Sequence, residues 1–141
     1  MKTIIGNIFD HVDKLDVIVH GCNCFATMGA GIAAQIARLY PEAYIVDSKD
    51  PRTPEQKLGG ISFTKNTTPI IINAYTQFRL GRDLKYNALE NTMHLISLNF
   101  HDLRIGMPMI GAGIAGGDWE IIEKIISKEL VGMDVTIFKL N

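Results

Sequence analysis

Residues 16–41 read DVIVHGCNCFATMGAGIAAQIARLYP, and the order of residue types in this stretch decides the fold. Asp16 to His20 is a short β-branched run without a polar face, the pattern of a strand covered by helices on both sides. A polar, cysteine-bearing segment and a glycine-rich one follow. From Ile32 to Tyr40 the apolar residues return at helical spacing, until Pro41 brakes the helix.

The same alternation continues in both directions. MKTII at the start, GISF near Ile61, PIIINAY at 69–75, RIGMPMI at 104–110 and DVTIFKL at 134–140 read as further strands. Leu84 to Phe100 reads as a helix, with Leu84, Ala88, Leu89, Met93, Ile96 and Phe100 on one face. A last helix is expected from Trp119 to about Leu130, capped by Asp118, with Trp119, Ile122, Ile125 and Ile126 turned to the core. Lys49 to Gly60, with its prolines and glycines, reads as a surface loop. The order predicts one α/β domain over residues 1–141, a three-layer α/β/α sandwich around a mixed central sheet.

Composition narrows the function. The chain has 141 residues, 47% of them hydrophobic, enough for one sizeable core. Lys plus Arg number 14 against 15 Asp plus Glu, so neither a duplex nucleic acid nor a membrane surface is an expected partner. No run approaches the roughly 20 apolar residues of a membrane span, and MKTIIGNIFD lacks a signal-peptide core. A cytoplasmic monomer is expected. Cys22 and Cys24 lie too close in sequence for an ordinary disulfide, which fits a reducing compartment.

The pentapeptide GAGIA occurs twice, at 29–33 and at 111–115. Each copy falls between an apolar strand and a helix, where free N–H groups and a positive helix end attract phosphate. Glycine lets a backbone approach a pyrophosphate closely, so both copies are candidate anion cradles, although glycines also simply make turns. Gly111, Gly113 and Gly116 satisfy GxGxxG, and Gly29, Gly31 and Ala34 its GxGxxA variant. A dinucleotide-binding fold fits poorly, because CNCFATM separates the first copy from its strand and little chain follows the second. A Walker loop fails where Gly117 and Asp118 replace its Lys and Ser/Thr.

HGCNC, residues 20–24, sets an imidazole, an amide and two thiols beside the first copy. A metal site from His20, Cys22 and Cys24 lacks a fourth ligand, and no cofactor is expected. A thiolate phosphatase loop needs an arginine where this chain has Met28 or Ala30, so the cysteines read as packing residues. Asn23 is suited to sugar hydroxyls or to capping its own loop. His20 is either an acid–base group or a satisfied core histidine.

GNIFD at Gly6, VIVHGCNC leading to MGAGIA, LYPEAY, INAYTQ and MPMIGAGIAGGDW together resemble the macro domains, which bind ADP-ribose. The resemblance spans nearly the whole chain and is strongest to the branch of ADP-ribose 1''-phosphate phosphatases. It implies that Gly6, Asn7 and Ile8 line the adenine end. It also implies that Gly21, Cys22 and Asn23, with Met28, Gly29, Ala30, Gly31, Ile32 and Ala33, hold the distal ribose and diphosphate. Ile110, Gly111, Ala112, Gly113, Ile114, Ala115 and Gly116 would close over the diphosphate from the other side. The repeated pentapeptide then grips two flanks of one ligand. Asn7 stands where many members carry Asp, and Ala115 where an aromatic often packs on the distal ribose. Members that cleave ADP-ribosyl esters use a Lys and a loop Asp; this chain has Tyr75 and Thr76 near the first and Ala115 at the second. The implied activity is metal-free release of phosphate from ADP-ribose 1''-phosphate, with Asn23 orienting the ribose and His20 as acid–base group. A binding module for ADP-ribose and a hydrolase removing ADP-ribose from macromolecules are the alternatives.

Overall fold

The computed structural model describes all residues from Met1 to Asn141. Six strands form one sheet: β1 (Lys2–Ile5), β2 (Val17–Cys22), β3 (Ile61–Phe63), β4 (Ile70–Tyr75), β5 (Arg104–Pro108) and β6 (Asp134–Lys139). Their spatial order is β1-β6-β5-β2-β4-β3, all parallel except the β3–β4 edge pair, so the sheet is mixed as expected.

Period-two alternation along β2 and β4 divides the core. Val17 and Val19 face the same way as Ile72 and Ala74, and meet Leu89, Met93 and Ile96 of α4 (Tyr86–Asn99) and Ile122 and Ile126 of α5 (Trp119–Glu129). Ile18 and Ile71 face the opposite layer, against Ile36 of α1 (Gly31–Leu39) and Ala43 of α2 (Pro41–Ser48). These two apolar faces of one sheet give the three layers. Asp118 caps α5 as expected, accepting from Glu120 N at 2.9 Å. No helix is long and apolar enough to cross a membrane.

Helix α1 ends before Pro41 as expected, with Leu39 as its last residue, but Pro41 itself opens α2, where its missing N–H costs nothing, and only Tyr40 separates the two. The expected loop at 49–60 contains a short helix α3 (Pro54–Lys57), started by a reciprocal cap between Thr53 and Gln56. Its last residue, Lys57, is buried rather than solvated. Ile8–Lys14 forms a 3-10 segment with Asn7 as cap, which the sequence pattern had not suggested.

The chain after β2 runs through α1 and α2 on one face, whereas α4 and α5 cover the other. Neighbouring strands β2 and β5 therefore send their connections to opposite faces, and a crevice opens at their carboxyl ends.

Candidate functional site

A cavity of about 330 Å³ occupies that crevice, large enough for part of a nucleotide-sized ligand. Its walls are the end of β2 (Gly21, Cys22, Asn23), the segment through Met28 into α1 (Ala30–Ala33), and the loop after β5 (Ile110, Gly111, Gly113, Ile114 and Ala115). Both GAGIA copies thus face one space. Gly29, Ala112 and Gly116 belong to the same loops but do not line it.

The two copies present themselves differently. The first runs straight into α1, whose cap residue Ala30 makes no side-chain cap bond. The N–H groups of Gly31, Ile32 and Ala33 accordingly have no backbone acceptor, and the positive helix end is left open to the cavity. The second copy does not reach its helix: Gly116, Gly117 and Asp118 intervene, and Asp118 satisfies the end of α5 itself. Its contribution is the loop backbone, where Gly113, Ile114 and Ala115 also leave their N–H groups without backbone acceptors. Gly111 is held in place by packing; its φ is +77°, and a Cβ there would stand 2.9 Å from Leu84 Cδ1.

Asn23 lines the cavity but is partly committed to its own loop. Its Oδ1 accepts from Phe25 N at 2.8 Å and its Nδ2 donates to Thr27 Oγ1 at 2.6 Å, leaving one amide hydrogen for a ligand. Gly6, Asn7 and Ile8 lie outside the cavity: Gly6 N donates to Lys139 O, Asn7 caps the 3-10 segment and Ile8 is buried.

His20 does not line the cavity either. It is fully buried, and parallel register sets it beside Asn73, whose Oδ1 lies 2.7 Å from its Nε2. Asn73 spends its amide hydrogens on Ala43 O and Ser62 Oγ, both at 3.0 Å, so its oxygen must accept and His20 carries its proton on Nε2. Ser62 Oγ lies 2.7 Å from the Tyr75 hydroxyl, which donates to Asp47 Oδ1 at 2.7 Å. The hydrogens therefore all point one way, from His20 through Asn73, Ser62 and Tyr75 to Asp47. Lys57 Nζ closes the chain on the same oxygen of Asp47 at 2.7 Å.

Burial pushes the His20 imidazole down to about 4, with the Asn73 bond opposing part of that shift. Stability should follow with a definite sign. The unfolded imidazole titrates near about 6.5, so on acidification the unfolded chain takes up the proton first. The His20 contribution is complete above that value and lost as pH falls toward 4, by up to about 1.4 kcal/mol per pH unit. Urea melts of wild type and His20→Gln, which can still donate to Asn73, are expected to diverge on acidification; parallel curves would show that water reaches the ring. Burial also raises both thiols, Cys24 to about 11 and Cys22 well above its ordinary range, so neither is a thiolate at neutral pH.

The sequence pattern had not singled out Thr27, Asp47, Gln77, Leu80 or Met109, which complete the cavity with Thr76 and others. Thr76 packs against Gly21, where a Cβ would stand 2.9 Å from its Oγ1. No three His, Cys, Asp or Glu side chains converge on a point that could hold a metal ion.

A macro domain family model matches residues 19–126. The chain belongs to the macro domain family. This macro domain is 37% identical to an uncharacterized 17.5 kDa protein of Enterobacteria phage T4, over 97% of this chain and 94% of the relative. An ADP-ribose 1''-phosphate phosphatase of Debaryomyces hansenii is 26% identical over 91% and 93%. A DNA ADP-ribosyl glycohydrolase of Mycobacterium tuberculosis is 30% identical over 87% of this chain but only 38% of its own length. Among solved structures, the macrodomain of Thermus aquaticus DarG superposes with TM-score 0.80 at 20% identity, over 99% of this chain and 97% of that one. Thermosipho africanus DarTG in complex with ADP-ribose gives 0.82 at 16%, over 97% and 40%. Those structural matches establish the three-layer macro domain fold.

Proposed function

We propose that this macro domain binds ADP-ribose with the diphosphate between the two GAGIA segments, and hydrolyses ADP-ribose 1''-phosphate to ADP-ribose and phosphate. The supporting observation is the shared cavity itself: its lining includes six residues, three from each copy, whose backbone N–H groups have no backbone acceptor. Such groups stabilise phosphate charge without a metal. Relatives named as phosphatases that match this chain over nearly their full length favour the 1''-phosphate ester as substrate.

In the reaction, water attacks phosphorus while the bond from phosphorus to the ribose oxygen breaks; the sugar leaves as a hydroxyl, having gained a proton. Backbone N–H groups carry the charge that develops on the phosphoryl oxygens, and the free amide hydrogen of Asn23 orients the ribose. His20 is assigned to holding Asn73 rather than to proton transfer, because burial keeps it neutral and away from the cavity.

Phosphate release from ADP-ribose 1''-phosphate is expected to persist in EDTA, and calorimetry should rank ADP-ribose well above AMP. Metal-dependent release would overturn the mechanism, and equal affinity for AMP would overturn the site. A second reading, hydrolysis of ADP-ribose from a macromolecule, is favoured by the similarity to the mycobacterial glycohydrolase. Tight ADP-ribose binding without phosphate release, together with release of label from ADP-ribosylated DNA, would select it.

A further inference from the structure

Two buried side-chain polar atoms in this protein have no hydrogen-bond partner, Asp47 Oδ2 and Thr76 Oγ1, and both residues line the cavity. Asp47 is only 2% exposed and Thr76 1%. An unmade hydrogen bond on a buried charged group costs more than one on a neutral group, so a bare carboxylate oxygen calls for an occupant.

The rest of the carboxylate is fully engaged. Tyr75 and Lys57 both donate to Oδ1, each at 2.7 Å, and Lys57 adds a longer bond to the Asp47 carbonyl at 3.4 Å. Lys57 Nζ also lies 4.6 Å from the Tyr75 ring centroid, which fixes it over the aromatic face. The side chain is therefore locked with one oxygen turned away from its donors. Because Lys57 already neutralises the carboxylate, the free oxygen has no call for a cation; its complement is a neutral O–H.

We infer that Asp47 Oδ2 is a polar subsite of the cavity that takes the hydrogen of an O–H donor, either a hydroxyl of the ligand's terminal sugar or the hydrolytic water. Thr76, whose Oγ1 is the other unpartnered atom, belongs to the same cavity lining and would give the hydroxyl its second partner. A phosphate oxygen is excluded from direct contact with Asp47 Oδ2, since both are acceptors bearing negative charge. The inference rests on the ADP-ribose reading and extends it: the cradles recognise the diphosphate by donating, and the floor recognises the hydroxyl end by accepting.

Asp47→Asn tests it. With Tyr75 and Lys57 still donating to the inner atom, the amide must keep its oxygen there and turn its NH₂ toward the cavity, setting a donor against a donor. Binding of ADP-ribose and of ADP, which lacks the terminal sugar, is measured by calorimetry alongside phosphate release. If a sugar hydroxyl is the occupant, ADP-ribose affinity falls at least about tenfold while ADP stays within about twofold. If water is the occupant, both affinities hold and kcat falls at least about a hundredfold without a matching change in KM. Should the single variant unfold, Asp47→Asn/Lys57→Met carries the test, since it leaves no buried charge and Tyr75 still has its acceptor. Folded variants with unchanged affinities and unchanged turnover would overturn the inference. Wild-type protein that binds ADP-ribose no better than ADP would instead bring down the ADP-ribose reading on which it stands.

Discussion

Gly31→Val is expected to weaken ADP-ribose binding at least about a hundredfold, or about 2.7 kcal/mol, while the domain stays folded. Gly31 opens α1 with φ at +58°, a left-handed conformation that a β-branched residue adopts only at a cost of order 1–3 kcal/mol. Nothing lies within 4 Å of a Cβ built there, so the penalty is conformational rather than a clash, and the first turn of α1 can shift to relieve it. That turn carries the three N–H groups offered to the ligand, so relief re-aims the cradle. Gly113→Val isolates the other half of the effect. Gly113 has no left-handed φ and no neighbour within 4 Å, so valine there should leave stability within about 0.5 kcal/mol and simply occupy ligand space. Calorimetry and a melt on both variants decide the matter; retained affinity in both would return the two glycines to ordinary turn residues.

Lys57→Met is expected to give the largest loss of stability of any change outside the apolar core, about 3–5 kcal/mol. The variant leaves Asp47, buried at 2% exposure, with an uncompensated charge held only by Tyr75. Against the roughly 5–15 kcal/mol by which a domain of this kind is stable, that is enough to unfold a sizeable fraction at physiological temperature. Adding Asp47→Asn should recover most of the loss, because the pair then disappears as a pair. Urea denaturation of the single and double variants reads both numbers. A single-variant cost below about 1 kcal/mol would mean that the pair is hydrated and behaves as a surface ion pair.

The apolar alternation along β2, β4 and β6 and the spacing in α4 and α5 carried the sheet and one helical layer directly, because burial on both faces leaves little choice of residue. The paired glycine segments carried the location of the cavity for a similar reason: few other signals mark a backbone left open. What local pattern could not carry is the polar floor. Asp47 sits on a helix of mixed polarity and Lys57 in a stretch rich in proline and glycine, so each reads alone as solvated. They become a buried pair only because α2 and α3 fold over Tyr75, and the chain from His20 to Asp47 joins four separate segments. Pro41 ended α1 as its sequence implied, but proline can begin a helix as well as end one, and only the geometry at Tyr40 reveals that α2 starts directly behind it. The second glycine segment lines the cavity, but the helix end it was expected to use is satisfied by Asp118.

The uncapped start of α1 has a consequence for motion as well as for charge. A first turn whose N–H groups lack acceptors is the cheapest part of a helix to open, so amide protons at the beginning of α1 should exchange with solvent near the rate set by local fraying. An anion seated there supplies the missing cap, and the protection should spread from the end inward, slowing exchange at Ala34 and Gln35 while α5, already capped by Asp118, keeps its rate. Ligand binding in this protein would thus be visible as the completion of a helix.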